Sequence, residues 1–271
     1  MKKVLIPVDF TDVSINAIRY CLNLFGDDEV HLMHVKTGLV QTNDPMILRM
    51  NTTHEDFWKD ALKDFVKKEL GEQHLDKIKD YIVHYGNIVE EVTDYAKEHG
   101  FDVICLGTKD KYSLFEKWFG TVSLGIIKMS EVSVYAIPKY ARYSGYERIL
   151  VGLDKDHIQT ESFSHLIDWN SEYKAFIKFL NIKKSSSEDF TQEKEDLIEK
   201  LFKEKDPDFS FELLSVKDSN IAQALMGYAY NSECDLIAIL PDNQKYIDAL
   251  FFQSVSKDLI LDSKIPVLFL K

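Results

Sequence analysis

Lys3-Val4-Leu5-Ile6-Pro7-Val8-Asp9 and Arg148-Ile149-Leu150-Val151-Gly152-Leu153-Asp154 are two short, mainly apolar runs, each closed by an acid, at an offset of 145 residues. Such runs suit strands covered on both faces, as in parallel sheets. Farther along, Asn87-Ile88 through Tyr95-Ala96 to Asp102-Val103-Ile104 returns as Asn220-Ile221 through Tyr228-Ala229 to Asp235-Leu236-Ile237, at an offset of 133. That offset also carries Val132-Ser133-Val134 onto Ile265-Pro266-Val267. One offset held across several elements marks an internal duplication whose second copy is 12 residues shorter in its middle. The stretch 140–147 follows neither period and reads as a linker, which gives domains 1–139 and 148–271. The length of 271 residues suits two small domains.

Inside the first copy, Val4–Val8, Val30–Val35, Val103–Leu106 and Val132–Ile137 read as strands. Between them Ile15, Ile18, Leu22 and Phe25 share a helical face, with Thr11 or Asp12 as N-cap and Gly26 as the stop. Phe57, Ala61 and Phe65, with Trp58 and Leu62, give a second helix, and Ile88, Val89, Val92, Tyr95 and Ala96 a third. Thr37 to Thr53 reads as a long loop before the Phe57 helix, placed where lids form. Alternating strand and helix predicts an α/β fold of two tandem Rossmann-like domains, each a parallel sheet with helices on both faces and ligands beyond the carboxyl ends of the strands.

The formal charge of −12 argues against nucleic acid and membrane surfaces as partners, since both attract clustered Lys and Arg. The apolar run after Lys3 stops at Asp9, too short for a signal peptide, and no later stretch has a spanning length, so a cytoplasmic protein is expected. Cys21, Cys105 and Cys234 form neither a CxxC pair nor a metal spacing and are expected as buried thiols. The histidines make no HExxH cluster, so no metal ligands are assigned. No nucleophile elbow and no P-loop ending occurs, and the catalytic expectation is at most a slow ATPase.

The segment that carries chemistry is Leu106-Gly107-Thr108-Lys109-Asp110, continuing to Phe119-Gly120-Thr121-Val122-Ser123. It leaves a strand and enters a helix. Two glycines let backbone approach an anion, the helix start points amides at it, and Thr121 and Ser123 add hydroxyls, as a polyphosphate cradle requires.

These residues resemble the universal stress protein family, whose nucleotide-binding members carry Gly-x2-Gly-x9-Gly followed by Ser or Thr. Gly107, Gly120 and Thr121 match in type and spacing, and Asp110 stands at the second glycine's place. The resemblance covers both copies, including Pro7-Val8-Asp9 and the His34-Val35 strand end. It implies an adenine nucleotide alpha hydrolase-like fold with five strands per domain. It further implies ATP or AMP, with or without Mg, with Pro7, Asp9 and Val35 around adenine and ribose. Leu106, Gly107, Asp110, Gly120, Thr121, Val122 and Ser123 would then surround the phosphates. Asp110 adds negative charge there, to be offset by Lys109, Lys111 or a divalent cation.

In the second copy the 133 offset places Leu240, Asn243, Gln253 and Ser254 at Gly107, Asp110, Gly120 and Thr121. Both glycines are gone, so that copy reads as structural. The expected protein binds a nucleotide in its first domain and signals under stress through an unknown protein partner. The alternative is a scaffold or chaperone-like module without nucleotide. The copies are expected to pair as an intrachain pseudo-dimer through their last strands, Val132–Ile137 and Ile265–Leu270, and tandem chains could pair further as a homodimer.

Overall fold

The computed structural model describes residues 1–37, 45–108, 120–153, 160–183, 206–241, 243–252 and 264–271. It divides into two units, Met1–Thr108 with Thr121–Lys139, and Tyr140–Lys271, with Gly120 grouped by its contacts with the second. In unit 1 the elements are β1 (Lys3–Pro7), α1 (Asp12–Leu24), β2 (Glu29–Lys36), α2 (Pro45–Leu70) and a 3-10 turn (Glu72–Lys77). They continue with β3 (Ile78–Tyr85), α3 (Ile88–Glu98), β4 (Val103–Thr108), α4 (Thr121–Met129) and β5 (Ser133–Pro138). The five strands are parallel in the order β3-β2-β1-β4-β5. The chain steps from β1 one way to β2 and β3, then crosses back to β4 and β5. Right-handed crossovers in opposite directions put α1 and α2 on one face, where they touch, and α3 and α4 on the other.

Unit 2 repeats the order as β8-β7-β6-β9-β10, from β6 (Arg148–Leu153), β7 (Phe176–Lys183), β8 (Phe211–Lys217), β9 (Leu236–Ile239) and β10 (Val267–Phe269). Its helices are α5 (Thr160–Asn170), α6 (Ile221–Asn231) and α7 (Gln244–Phe252). Val4, Leu5 and Ile6 in one unit and Ile149, Leu150 and Val151 in the other are wholly buried. Each such side chain contributes about 1.5–3 kcal/mol by leaving water.

Three expectations need correction. The stretch read as a loop to Thr53 is helical from Pro45, because a proline at the first helical position and no further proline or glycine before Gly71 let α2 run back that far. The segment 38–44 lies outside the described residues. The buried face of α2 is Leu62 and Val66 with Trp58 and Phe65 partly covered, whereas Phe57 is 61% exposed, a rotation of one residue. Strand β3 has no counterpart among the runs read from sequence, since Lys79 and Asp80 break its apolar pattern at the sheet edge. Among the described residues no helix is long and apolar enough to cross a membrane.

Candidate functional site

Strand β1 is central, flanked by β2 and β4, so its carboxyl end is the point where the strand order reverses. Pro7 pairs with Met33, and the Val8 amide donates to the Met33 carbonyl at 2.8 Å, which carries the pairing past the strand end. That register sets Asp9 level with Val35, a residue only 9% exposed. On the other side Val4 pairs with Val103 and Leu5 with Ile104, which sets Val8 level with Gly107. Pro7, Asp9, Val35, Leu106 and Gly107 therefore share one edge of the sheet.

Local hydrogen bonds fix the turn after β1. The Asp9 carboxylate accepts from the Thr11 amide at 3.3 Å and from the Thr11 hydroxyl at 2.5 Å. Thr11 rather than Asp12 caps α1: its hydroxyl accepts the Ser14 amide at 3.4 Å, and Ser14 Oγ accepts the Thr11 amide at 3.1 Å. This reciprocal cap satisfies the Thr11 and Ser14 amides internally.

Between them Phe10 adopts φ 59°, a left-handed conformation that costs a non-glycine residue about 1–3 kcal/mol. Its ring is held by three others, with centroids 4.8 Å from His34, 5.9 Å from Trp58 and 5.4 Å from Phe65. His34 Nδ1 lies 2.8 Å from the Val8 carbonyl, which only accepts, so Nδ1 carries the proton. Its Nε2 is buried without a partner. Burial pushes the His34 pKa down; the bond to Val8 opposes this, Lys36 adds to it and Asp9 opposes it. Lys36 Nζ sits 4.2 Å from the Trp58 ring centroid. In sequence His34 and Trp58 lie in separate elements, and no motif there singles out Phe10. The available signal was an aromatic directly after the strand-closing acid, with aromatics at helical spacing in α2.

The two glycines of the motif differ physically. A Cβ at Gly107 would lie 2.7 Å from the Val13 carbonyl oxygen and 2.8 Å from its carbon. Glycine is required there because the first turn of α1 presses on β4, a reason the loop reading missed. A Cβ at Gly120 would meet nothing within 4 Å. Helix α4 starts at the next residue, with Thr121 exposed, Val122 42% exposed and Ser123 half-buried. Among the described residues no acceptor meets the amides of Thr121, Val122 or Ser123, and nothing bonds the two hydroxyls. The turn thus presents amides at the positive end of a helix. Asp110, Lys109 and Lys111 lie outside the described residues. Among the described residues no group of three His, Cys, Asp or Glu is arranged to hold a metal ion.

Residues 1–138 match the Universal stress protein family. The chain belongs to that family. A universal stress protein of Methanocaldococcus jannaschii is 29% identical over 157 residues, spanning 51% of this chain and 95% of its own. A solved universal stress protein of Archaeoglobus fulgidus superposes on 99% of the chain, with 96% of its own covered, at a TM-score of 0.67 and 17% identity, which speaks to the fold. A putative universal stress protein structure from Pseudomonas aeruginosa covers 100% of the chain and 93% of its own at a TM-score of 0.55 and 12% identity.

The carboxyl ends of the strands in unit 2 are built differently. Helix α7 starts at Gln244, soon after β9 ends at Ile239, whereas α4 starts at Thr121 after β4 ends at Thr108. The stretch aligned by sequence with the long loop of unit 1 is therefore helical. Gln253, Ser254 and Asp154 lie outside the described residues.

Proposed function

We propose that unit 1 binds an adenine nucleotide, ATP or AMP, at the carboxyl ends of β1, β2 and β4, and that its occupancy signals under stress. The observation that carries this is the first turn of α4. Its amides have no acceptor among the described residues, it opens directly after a glycine with free space, and it lies beyond the switch point of a parallel sheet.

The Asp9 carboxylate, held at the strand end by its bonds to Thr11, is an acceptor that suits ribose hydroxyls. Pro7 and Val35 supply apolar and backbone surface for the base. Thr121, Val122 and Ser123, with Gly107 and Gly120, would hold the phosphates. A divalent cation would balance the charge that Asp110 brings to them. The chain offers orientation of a nucleotide, and no residue within the described site is arranged as a nucleophile or paired with a general base.

Two measurements test this. The supernatant of the heat-denatured protein, purified without added nucleotide, is expected to show adenine absorbance and to run as AMP or ATP on ion exchange. Calorimetric titration with ATP, with and without Mg, is expected to show binding that Asp110→Gly strengthens, since it removes a carboxylate from the phosphates. Absence of heat from both forms at millimolar ATP overturns the reading and favours the scaffold.

A further inference from the structure

Tyr246, the third residue of α7, is fully buried at the carboxyl ends of β6 and β7. Its hydroxyl lies 2.9 Å from the Leu153 carbonyl, 2.9 Å from the Leu180 carbonyl and 3.2 Å from the Ile182 amide. One hydroxyl proton serves the two carbonyls, and the oxygen accepts the amide. The ring rests on Gly152, where a Cβ would lie 2.9 Å from Cδ1 and 3.1 Å from Cε1. Any larger residue would collide with it, and the duplicated run puts Pro7 at this position in unit 1. Neighbours brace the arrangement: Asn243 Nδ2 donates to the Gly152 carbonyl at 2.7 Å, and Lys245 Nζ to the Ile182 carbonyl at 3.2 Å.

By strand alignment Leu153, Leu180 and Ile182 correspond to Val8, Met33 and Val35 of unit 1. The Tyr246 hydroxyl thus meets strand-end groups at the level proposed for a nucleobase. A planar ring whose edge both accepts from an amide and donates to a carbonyl is also what an aminated heterocycle offers.

We infer that Tyr246 is an internal ligand: the strand-end crevice of unit 2 is a binding site for a phenol-type ring that the chain fills from α7, so the second copy takes no nucleotide. The ring filling stands on this geometry alone. Only the limit of one nucleotide per chain rests on the function proposed for unit 1.

The test uses the full chain. Tyr246→Gly deletes, atom for atom, p-cresol, and exposes the Leu153, Leu180 and Ile182 backbone groups to an empty pocket. Its melting midpoint is expected to fall by about 10 °C. Saturating p-cresol recovers roughly half of that loss, because binding to the native state alone stabilises by mass action. Toluene, which lacks the hydroxyl, binds about tenfold more weakly by saturation-transfer NMR. A wild-type midpoint for the variant overturns the inference, as does a midpoint indifferent to p-cresol or equal affinity for toluene. Should Tyr246→Gly yield no folded protein, Tyr246→Phe decides. It keeps the ring and takes the hydroxyl away from the Leu153 and Leu180 carbonyls and the Ile182 amide, so a loss of about 4 °C is expected and an unchanged midpoint overturns the inference. In calorimetry the wild type is expected to take one ATP per chain. Two per chain overturns the filled crevice, whereas none refutes the function proposed for unit 1 and leaves the p-cresol result standing.

Discussion

Replacing each motif glycine by alanine separates packing from ligand approach. At Gly107 the added methyl would lie 2.7 Å from the Val13 carbonyl oxygen and 3.0 Å from Val13 Cγ1. The first of these is backbone in the opening turn of α1, which is held by the Thr11–Ser14 cap and by the Asn16 side chain, whose Nδ2 donates to the Pro138 carbonyl at 2.9 Å. The helix has little room to retreat. Overpacking of this kind costs about 1–3 kcal/mol, and the chain-entropy gain of Gly→Ala returns roughly 0.4–1 kcal/mol, for a net loss of about 1–2 kcal/mol. For a unit of this size that is a melting shift of about 3–8 °C. At Gly120 the methyl meets nothing within 4 Å, so stability is expected unchanged or raised by up to about 1 kcal/mol. ATP affinity is expected to fall about tenfold, because the methyl enters the space in front of the α4 amides. Urea unfolding followed by circular dichroism reads the first effect and calorimetry the second. A Gly107→Ala protein as stable as wild type would refute the close-approach argument. Unaltered ATP affinity in Gly120→Ala would remove that glycine from the site.

Other consequences can be checked with the same assays. Phe10→Ala loses the ring against His34, Trp58 and Phe65 and keeps the left-handed strain, whereas Phe10→Gly loses the ring and relieves that strain; urea unfolding free energies should rank Gly above Ala by about 1 kcal/mol. His34 is held neutral by burial, so its pKa in the folded chain lies below the unfolded value near ~6.5. The unfolded chain then binds more protons, and stability present above that value is lost as pH falls towards the folded pKa. Urea midpoints at about pH 8 and pH 5.5 should show this, and His34→Gln should flatten the slope. Burial pushes His31 the same way, with Asp80 and Glu29 opposing it, so some slope remains in that variant. Asp102 and Asp235 accept the backbone amides of Lys3 at 2.6 Å and Arg148 at 2.9 Å, and replacing either by alanine should cost about 1 kcal/mol in its own unit; equal losses in both single variants would tie the repeat to one physical device.

Those two aspartates explain why the duplication was legible. The shared Asn–Asp pattern at offset 133 is a helix cap followed by a strand clamp. Asn87 accepts the Val89 amide at 3.0 Å and Asn220 the Gln223 amide at 3.0 Å, so each asparagine starts its helix and each aspartate pins the first strand. Local polar bonds leave a trace in sequence. Strand β3 left less of one, because an edge strand needs apolar residues on fewer positions. The start of α2 was hidden for the opposite reason: Gly38, Asn43 and Asp44 gave turn signals that masked the helix formers after Pro45. Tertiary reasons were not legible. Gly107 reads as a loop glycine until Val13 is seen beside it, and Tyr246 reads as a helix residue until Gly152 is seen beneath it.

The contrast between the copies rests on backbone groups rather than on side chains left unpaired. His34 and Asn181 occupy matching strand positions, and each keeps one buried nitrogen without a partner, so that feature does not separate the units. What differs is who meets the polar groups beyond the strand ends. In unit 2 a hydroxyl from α7 meets two carbonyls and an amide there, so the chain itself occupies that part of the carboxyl edge. In unit 1 the helix that follows β4 starts later, and among the described residues its first amides meet no acceptor, which is where the proposed nucleotide's phosphates would sit. Sequences depart from local satisfaction mainly where a ligand completes the structure. The left-handed Phe10 and the start of α4 both follow strands of unit 1 at their carboxyl ends.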